Sequence, residues 1–388
     1  MNQPLRRSSA VFAMLFCITI TRTANEFVIK KTTIPTDTGP RIQAAILLDV
    51  SGSMNGLIEQ AKSQLWNMVN VLDKVKCENG NPKIEIALYE YGRDGNDPAS
   101  GYVKQISGFT GDLNKLSLDL NSLTTNGGDE FCGQVIYASL NELNWDSSSS
   151  SYKVIFIAGN EDFLQGQVSY TKACAEAKKK GVIVNTIYCG DEDRGIREHW
   201  NLGAECGSGS FTNIDHNAKE KQIPTPYDST LFSLNQQLNK TYITYGIAGE
   251  ESLETLMQAD TVAISDLKDM TKITGYVVTK SSKRLSNNAA WDLIDAAEKD
   301  SSFTDKVDMN TLPDSLKNKS REHLKQVVRA KTTERGAIRK QITEINTQRA
   351  VYIAAEKART GITDIKILKT EIERIIKEQV KRFNMYIE

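Results

Sequence analysis

Proline is scarce, with 8 in 388 residues, so the chain is neither collagen-like nor a proline-rich disordered segment. Histidine is scarcer still. His199, His216 and His323 have neither the i, i+4 spacing of a zinc-binding helix nor a Ser/His/Asp context. His199, beside Trp200, reads as a surface or packing residue. The six cysteines include no C-x-x-C pair, which argues against a zinc ribbon or a thioredoxin-like motif. No phosphate loop is present: Gly207-Ser208-Gly209 lacks the lysine of a P-loop and the glycine spacing of a dinucleotide site. No internal apolar run reaches the ~18–20 residues that cross a bilayer. Net charge is also lacking. With 48 Lys+Arg against 49 Asp+Glu, the whole chain has no strong electrostatic claim on nucleic acid.

That neutrality is a cancellation. From Lys317 to Glu388 there are 18 basic and 9 acidic residues, which leaves 30 basic against 40 acidic in the rest. An acidic body is joined to a basic, proline-free tail. The tail could serve an acidic surface, but its interleaved glutamates (Glu334, Glu344, Glu356, Glu371) fit a solvated helix better. At the other end, Arg6 and Arg7 precede the apolar stretch Ala10–Ile20, the pattern of an export signal over residues 1–24. Cleavage after Thr23 would put Thr21 and Thr23 at the positions needing small residues. The alternative is an apolar N-terminus on a cytosolic chain. Export would place the protein in the periplasm or outside the cell. It would also leave five cysteines: Cys77, Cys132, Cys174, Cys189 and Cys206. Cys132 with Cys189, or Cys189 with Cys206, could then pair. Cys174, inside a helical pattern, reads as a buried small apolar residue.

Between Arg41 and Ile214, short apolar runs alternate with helical periods. Ile42–Asp49, Ile84–Tyr91, Val154–Ala158 and Val182–Tyr188 read as strands. Leu57–Val75, Leu113–Leu123, Gly133–Leu143 and Tyr170–Lys180 read as helices, the last stopped by Gly181. This alternation predicts βαβ crossovers, hence an α/β fold: a doubly wound, mostly parallel sheet covered on both faces. Residues 41–216 form this domain. Residues 217–315 read as a mainly helical connecting region, and 316–388 as a charged helical hairpin or coiled coil broken at Gly361, with a surface for self-association.

The sharpest local feature is Asp49-Val50-Ser51-Gly52-Ser53, where a buried strand ends and a helix begins. In a doubly wound sheet, ligands bind at the carboxyl ends of strands. One carboxylate and two hydroxyls on one tight loop are hard oxygen donors, suited to Mg²⁺, Mn²⁺ or Ca²⁺. The simpler alternative is a strand-end turn capped by Ser53.

Over Arg41–Asp215 the chain resembles the von Willebrand factor A (VWA) family and its metal-ion-dependent adhesion site. The resemblance implies a Rossmann-like sheet with a metal at its top, and a partner protein that offers the metal an acidic side chain. Two loops depart from the usual pattern. Gly127-Gly128-Asp129-Glu130 puts Asp129 in the place of a threonine, and Ile157-Ala158-Gly159-Asn160-Glu161 puts Gly159 in the place of an aspartate. The candidate metal set is therefore Asp49, Ser51, Ser53, Asp129, Glu130 and Glu161. A third acid, from a partner or from Glu130 or Glu161, would be accepted less readily than at a threonine-type site. Asp129-Glu130 also fits a charged helix N-terminus. Glu90 reads as a salt-bridged glutamate or a group behind the site. The loops around Glu90, Asp129, Asn160 and Cys189 are similar to an exported bacterial subgroup of the family with a helical C-terminal part. No base adjoins Ser51 or Ser53. The leading expectation is an exported, non-enzymatic, cation-binding protein for protein–protein interaction or scaffolding. Alternatives are a cytosolic partner of an AAA-type ATPase and, third, a metal-assisted hydrolase.

Overall fold

The computed structural model describes residues 39–387 apart from 79, 215–222, 266–269, 285, 287 and 361–367. The export-signal segment 1–24, His216 and the Gly361 break lie outside the described residues.

The chain runs β1 (Arg41–Asp49), α1 (Ile58–Asp73), β2 (Val75–Cys77), β3 (Lys83–Tyr91), β4 (Lys104–Thr110), α2 (Leu113–Ser122) and α3 (Cys132–Glu142). It continues through β5 (Tyr152–Gly159), α4 (Tyr170–Lys180), β6 (Ile183–Cys189), α5 (Glu192–Arg197), α6 (Trp200–Cys206) and β7 (Ser208–Ile214). The helical part follows: α7 (Asp228–Asn239), α8 (Gly249–Ser265), α9 (Met270–Ser281), α10 (Leu293–Lys299), α11 (Phe303–Lys306) and α12 (Asp314–Lys317). The last elements are α13 (Arg321–Thr360), α14 (Leu368–Val380) and β8 (Met385–Ile387).

Six strands form one sheet in the order β4-β3-β1-β5-β6-β7. All pairs are parallel except β3–β4 at one edge. The chain winds outward from β1 in both directions, so the β1 carboxyl end is the switch point where such sheets open a crevice. Strand periodicity sorts β1 into two cores. Ile42, Ala44, Ile46 and Leu48 pack toward α1 and α14, while Ala45 and Leu47 pack toward α3 and α4. Nearly every residue of β1 and β5 is buried, as a sheet covered on both faces requires.

The tail differs from the expected hairpin. Among the described residues, α13 packs on α7, α9 and α10, whereas α14 packs on α1 and β7. Ile372, Ile376 and Val380 of α14 join the sheet core. Gln379 is 2% exposed, accepts the Tyr152 hydroxyl at 2.8 Å and donates to Asn185 at 2.7 Å. β8 then pairs antiparallel with β2. Residues 39–388 form one compact unit, and the last helix is a wall of the α/β body. On α13, Leu324, Val328, Ile338 and Ile342 are buried against neighbouring helices of the same chain. Some of its basic residues are neutralised there too. Arg335 lies 2.5 Å from Asp292 and 2.8 Å from Asp295, and Arg349 lies 2.7 Å from Asp228.

The cysteines also correct an expectation. Cys174 is not merely a small apolar residue: it is bonded to Cys206, tying α4 to α6. Cys132 and Cys189 are buried free thiols. Burial pushes both thiols well above the ordinary range, so they stay protonated.

Candidate metal centre

Register places the site. Asp49 is paired with Tyr91 of β3, and Leu48 with Ala158 of β5, so the loops after all three strands meet above Asp49. The loop between α2 and α3 closes the fourth side: Asn126 donates its amide to Val50 O at 2.9 Å, and the Asp94 amide bonds Gly127 O.

Asp49 is fully buried. Its Oδ1 accepts the Ser51 amide at 2.8 Å. Its Oδ2 is buried without a hydrogen-bond partner. An orphaned buried carboxylate oxygen is expensive, and each such group calls for an explanation. The carboxyl is pushed up to about 6, chiefly by burial. The Ser51 amide and hydroxyl and the Asn160 amide oppose the rise, and the charge of Glu161 adds to it. The two hydroxyls lie together: Ser51 Oγ is 2.9 Å from Ser53 Oγ. Ser53 Oγ donates to Asn160 Oδ1 at 2.8 Å, and Asn160 Nδ2 returns a bond to Ser53 O at 3.2 Å.

The structure separates the two acids of the Gly127–Glu130 loop. Asp129 is exposed, whereas Glu130 is half-buried. Glu130 turns inward: its Cγ and Asp49 Oδ1 both lie against Gly92, at 3.1 and 3.0 Å from where a Cβ would stand. Gly92 has φ +79°, so the turn that lets the two acids approach suits glycine twice over. Glu130 is pushed up to about 7 by burial, then by Asp49 and Glu161, with the Ser51 hydroxyl opposing. The inward acid beside the D-x-S-x-S loop is thus Glu130, where sequence position had favoured Asp129.

The third loop also explains its departure. A Cβ on Gly159 would stand 2.5 Å from the Tyr91 hydroxyl and 3.0 Å from Asp49 Cβ. The Tyr91 ring fills the place that an aspartate side chain would need, and its hydroxyl donates to Ala158 O at 3.1 Å. Asn160 is the polar residue this loop sends to the site. In the sequence its only signal is its place just after a strand end. Glu90 is a salt-bridged glutamate: Arg93 bonds it at 3.1 and 3.2 Å and Asn96 at 3.2 Å, which fixes the turn carrying Gly92 and Asp94. Glu161 sits within electrostatic reach of Asp49, and its carbonyl accepts Trp200 Nε1 at 2.8 Å. His199 bonds Asp162 at 3.1 Å, with its ring at the surface.

Among the described residues, no three His, Cys, Asp or Glu side chains are placed to hold an ion by themselves. The donor set is mixed: carboxylate oxygens of Asp49 and Glu130, hydroxyls of Ser51 and Ser53, and the Asn160 amide oxygen. All are hard oxygens, and one of them, Asp49 Oδ2, is buried without a hydrogen-bond partner, so the set fits a small divalent cation. A cavity of about 360 Å³ opens beside it, lined by Asn55, Leu57, Asn160, Tyr188, Asp191 and Arg194 among others.

The family profile of the von Willebrand factor type A domain matches residues 45–199. Solved structures similar to this chain include the SpRpn10 VWA domain, at 17% identity, TM-score 0.36, covering 46% of this chain and 90% of that one. BatB from Bacteroides thetaiotaomicron follows at 16% identity and TM-score 0.34, covering 45% and 90%. Proximal thread matrix protein 1 of the mussel byssus, with a zinc-occupied MIDAS motif, is 15% identical with TM-score 0.34, covering 47% and 44%. No curated protein sequence matches. The profile match and the doubly wound sheet together identify the α/β body, over residues 45–199, as a von Willebrand factor type A domain.

Proposed function

We propose that this is an exported, non-enzymatic interaction or scaffolding protein whose VWA domain binds a divalent cation, Mg²⁺ or Mn²⁺ or Ca²⁺, on the loops above β1. One observation carries the reading: Asp49 Oδ2 is buried with no partner, beside paired serine hydroxyls and a second inward carboxylate. Asp49, Ser51, Ser53 and Glu130 would hold the ion, with Asn160 ordering Ser53 and Glu161 adding negative potential. Bound there, the cation would neutralise the buried charge and cross-brace three loops. The serine hydroxyls bond each other and Asn160, an arrangement suited to offering oxygens rather than to base-activated attack. The Cys174–Cys206 bond supports an oxidising compartment, in keeping with the basic and apolar N-terminal pattern.

The test is thermal unfolding of the whole chain in chelator and in millimolar Mg²⁺, Mn²⁺ or Ca²⁺. At a ligand concentration about 100 times Kd, the native state gains ~2.7 kcal/mol. Wild type should show a clear rise in Tm with at least one of these ions. Asp49→Ala should show none, and equal responses of the two proteins would reject the reading.

A further inference from the structure

The face that carries the candidate metal centre is crowded with negative charge. Asp94 and Asp97 are exposed on the loop after β3, and Asp129 on the loop before α3. Across the crevice, Asp191, Glu192 and Asp193 are exposed at the end of β6. Beneath them lie the buried Asp49 with its unpartnered oxygen, the inward Glu130 and the nearby Glu161. The positive residues around this face are fewer, and exposed Lys104, in register with Glu90 at the start of β4, is one of them. Arg93 is held by Glu90, and Arg194 lies 3.5 Å from Glu198. Arg197 is exposed at the far end of α5. One divalent ion would offset Asp49 and Glu130 and leave the exposed rim acidic.

From this we infer that the metal-bearing face docks a cationic segment of a partner protein, one presenting lysine or arginine side chains. This deepens the reading of the domain as an interaction module but does not depend on the cation being bound. A partner carboxylate brought here would meet Glu130, Glu161 and the acidic rim, and like charges juxtaposed across an interface cost several kcal/mol. A lysine or arginine meets the opposite. The cavity beside Asn160 can take such a side chain: Tyr188 and Leu57 flank its aliphatic stem, and Asp191 stands on its wall. Arg194 on the same wall, half engaged by Glu198, faces solvent.

The experiment is fluorescence anisotropy of labelled hexalysine and labelled hexaglutamate against the whole chain, in Mg²⁺ and in chelator, at low and at physiological salt. Hexalysine should bind in both Mg²⁺ and chelator, weaken as salt rises, and bind at least about 5-fold more weakly to Asp129→Lys/Asp193→Lys. These two rim acids cap no helix. Glu254→Lys, exposed on α8 and outside the loops that form the face, should leave hexalysine affinity unchanged. Hexaglutamate should not bind. Three results would overturn the inference: no hexalysine binding, hexalysine binding indifferent to the rim reversal, or Mg²⁺-dependent hexaglutamate binding lost in Asp49→Ala. The thermal response to Mg²⁺ is read separately, so failure of cation binding and failure of the cationic docking face remain distinguishable.

Discussion

Asp49→Asn removes one negative charge at nearly constant shape and with it the cost of burying that carboxylate. The carboxyl rises from 3.8 to about 6 on folding, and at 1.36 kcal/mol per pH unit this is about 3 kcal/mol. The sign follows from proton linkage. Below pH 3.8 both states are protonated and the cost is absent. As pH rises toward 6 the native state retains a proton that the unfolded chain has released, so stability falls. About half of the 3 kcal/mol, roughly 1.4 kcal/mol, should be lost between pH 5 and pH 8. The introduced carboxamide can still accept the Ser51 amide, but its NH₂ lacks an acceptor, which costs about 1–3 kcal/mol at every pH. The absolute stability of the variant is therefore a poor test, and the slope a good one. Urea unfolding in chelator at pH 5 and pH 8 should show wild type losing at least ~1.4 kcal/mol more than Asp49→Asn across that interval, because the variant also relieves Glu130 of the Asp49 charge that helps raise it. Parallel pH profiles would refute the claim that Asp49 is a buried carboxylate whose outer oxygen awaits a cation.

Glu130→Thr should weaken divalent-cation affinity or change ion preference in calorimetry, whereas Asp129→Thr should alter it little; the reverse order would restore Asp129 as the inward acid. Arg335→Met should destabilise the helical region by about 3–5 kcal/mol, because Asp292 and Asp295 would lose the cation that compensates their burial, while the triple change to Met, Asn and Asn should recover part of the loss. A chevron or equilibrium midpoint unchanged by Arg335→Met would contradict the role given to that ion pair. Cys174→Ser should cost about 3–4 kcal/mol from loop-closure entropy over 32 residues, read as a lower Tm that reductant reproduces in wild type.

The α/β body was legible from sequence because its signals are local. β1 carries the apolar run Ala44–Leu48 ending at Asp49, and α4 stops at Gly181, which has φ +66°. The D-x-S-x-S loop was legible for the same reason. What escaped depends on contacts distant in sequence. β2 and β8 are three residues each, too short to show a period, and they meet across almost the whole chain. α14 has the amphipathic pattern expected of a hairpin partner, but pattern does not name the surface it covers, and the surface is α1 and β7. The Cys174–Cys206 pair needed the packing of α4 on α6. The choice of Glu130 over its neighbour Asp129 was set by how the loop crosses Gly92. The opposite charges of tail and body turn out to face each other within one unit, through Arg335 with Asp292 and Arg349 with Asp228.

The central claim is that Asp49 and its two serines form a cation site. Isothermal titration of Mg²⁺ or Mn²⁺ into the chelator-treated whole chain tests it most directly. One saturable site is expected in wild type and none in Asp49→Ala of intact fold. A wild-type chain that binds none of Mg²⁺, Mn²⁺ and Ca²⁺, or an Asp49→Ala chain that binds as well as wild type, would contradict it.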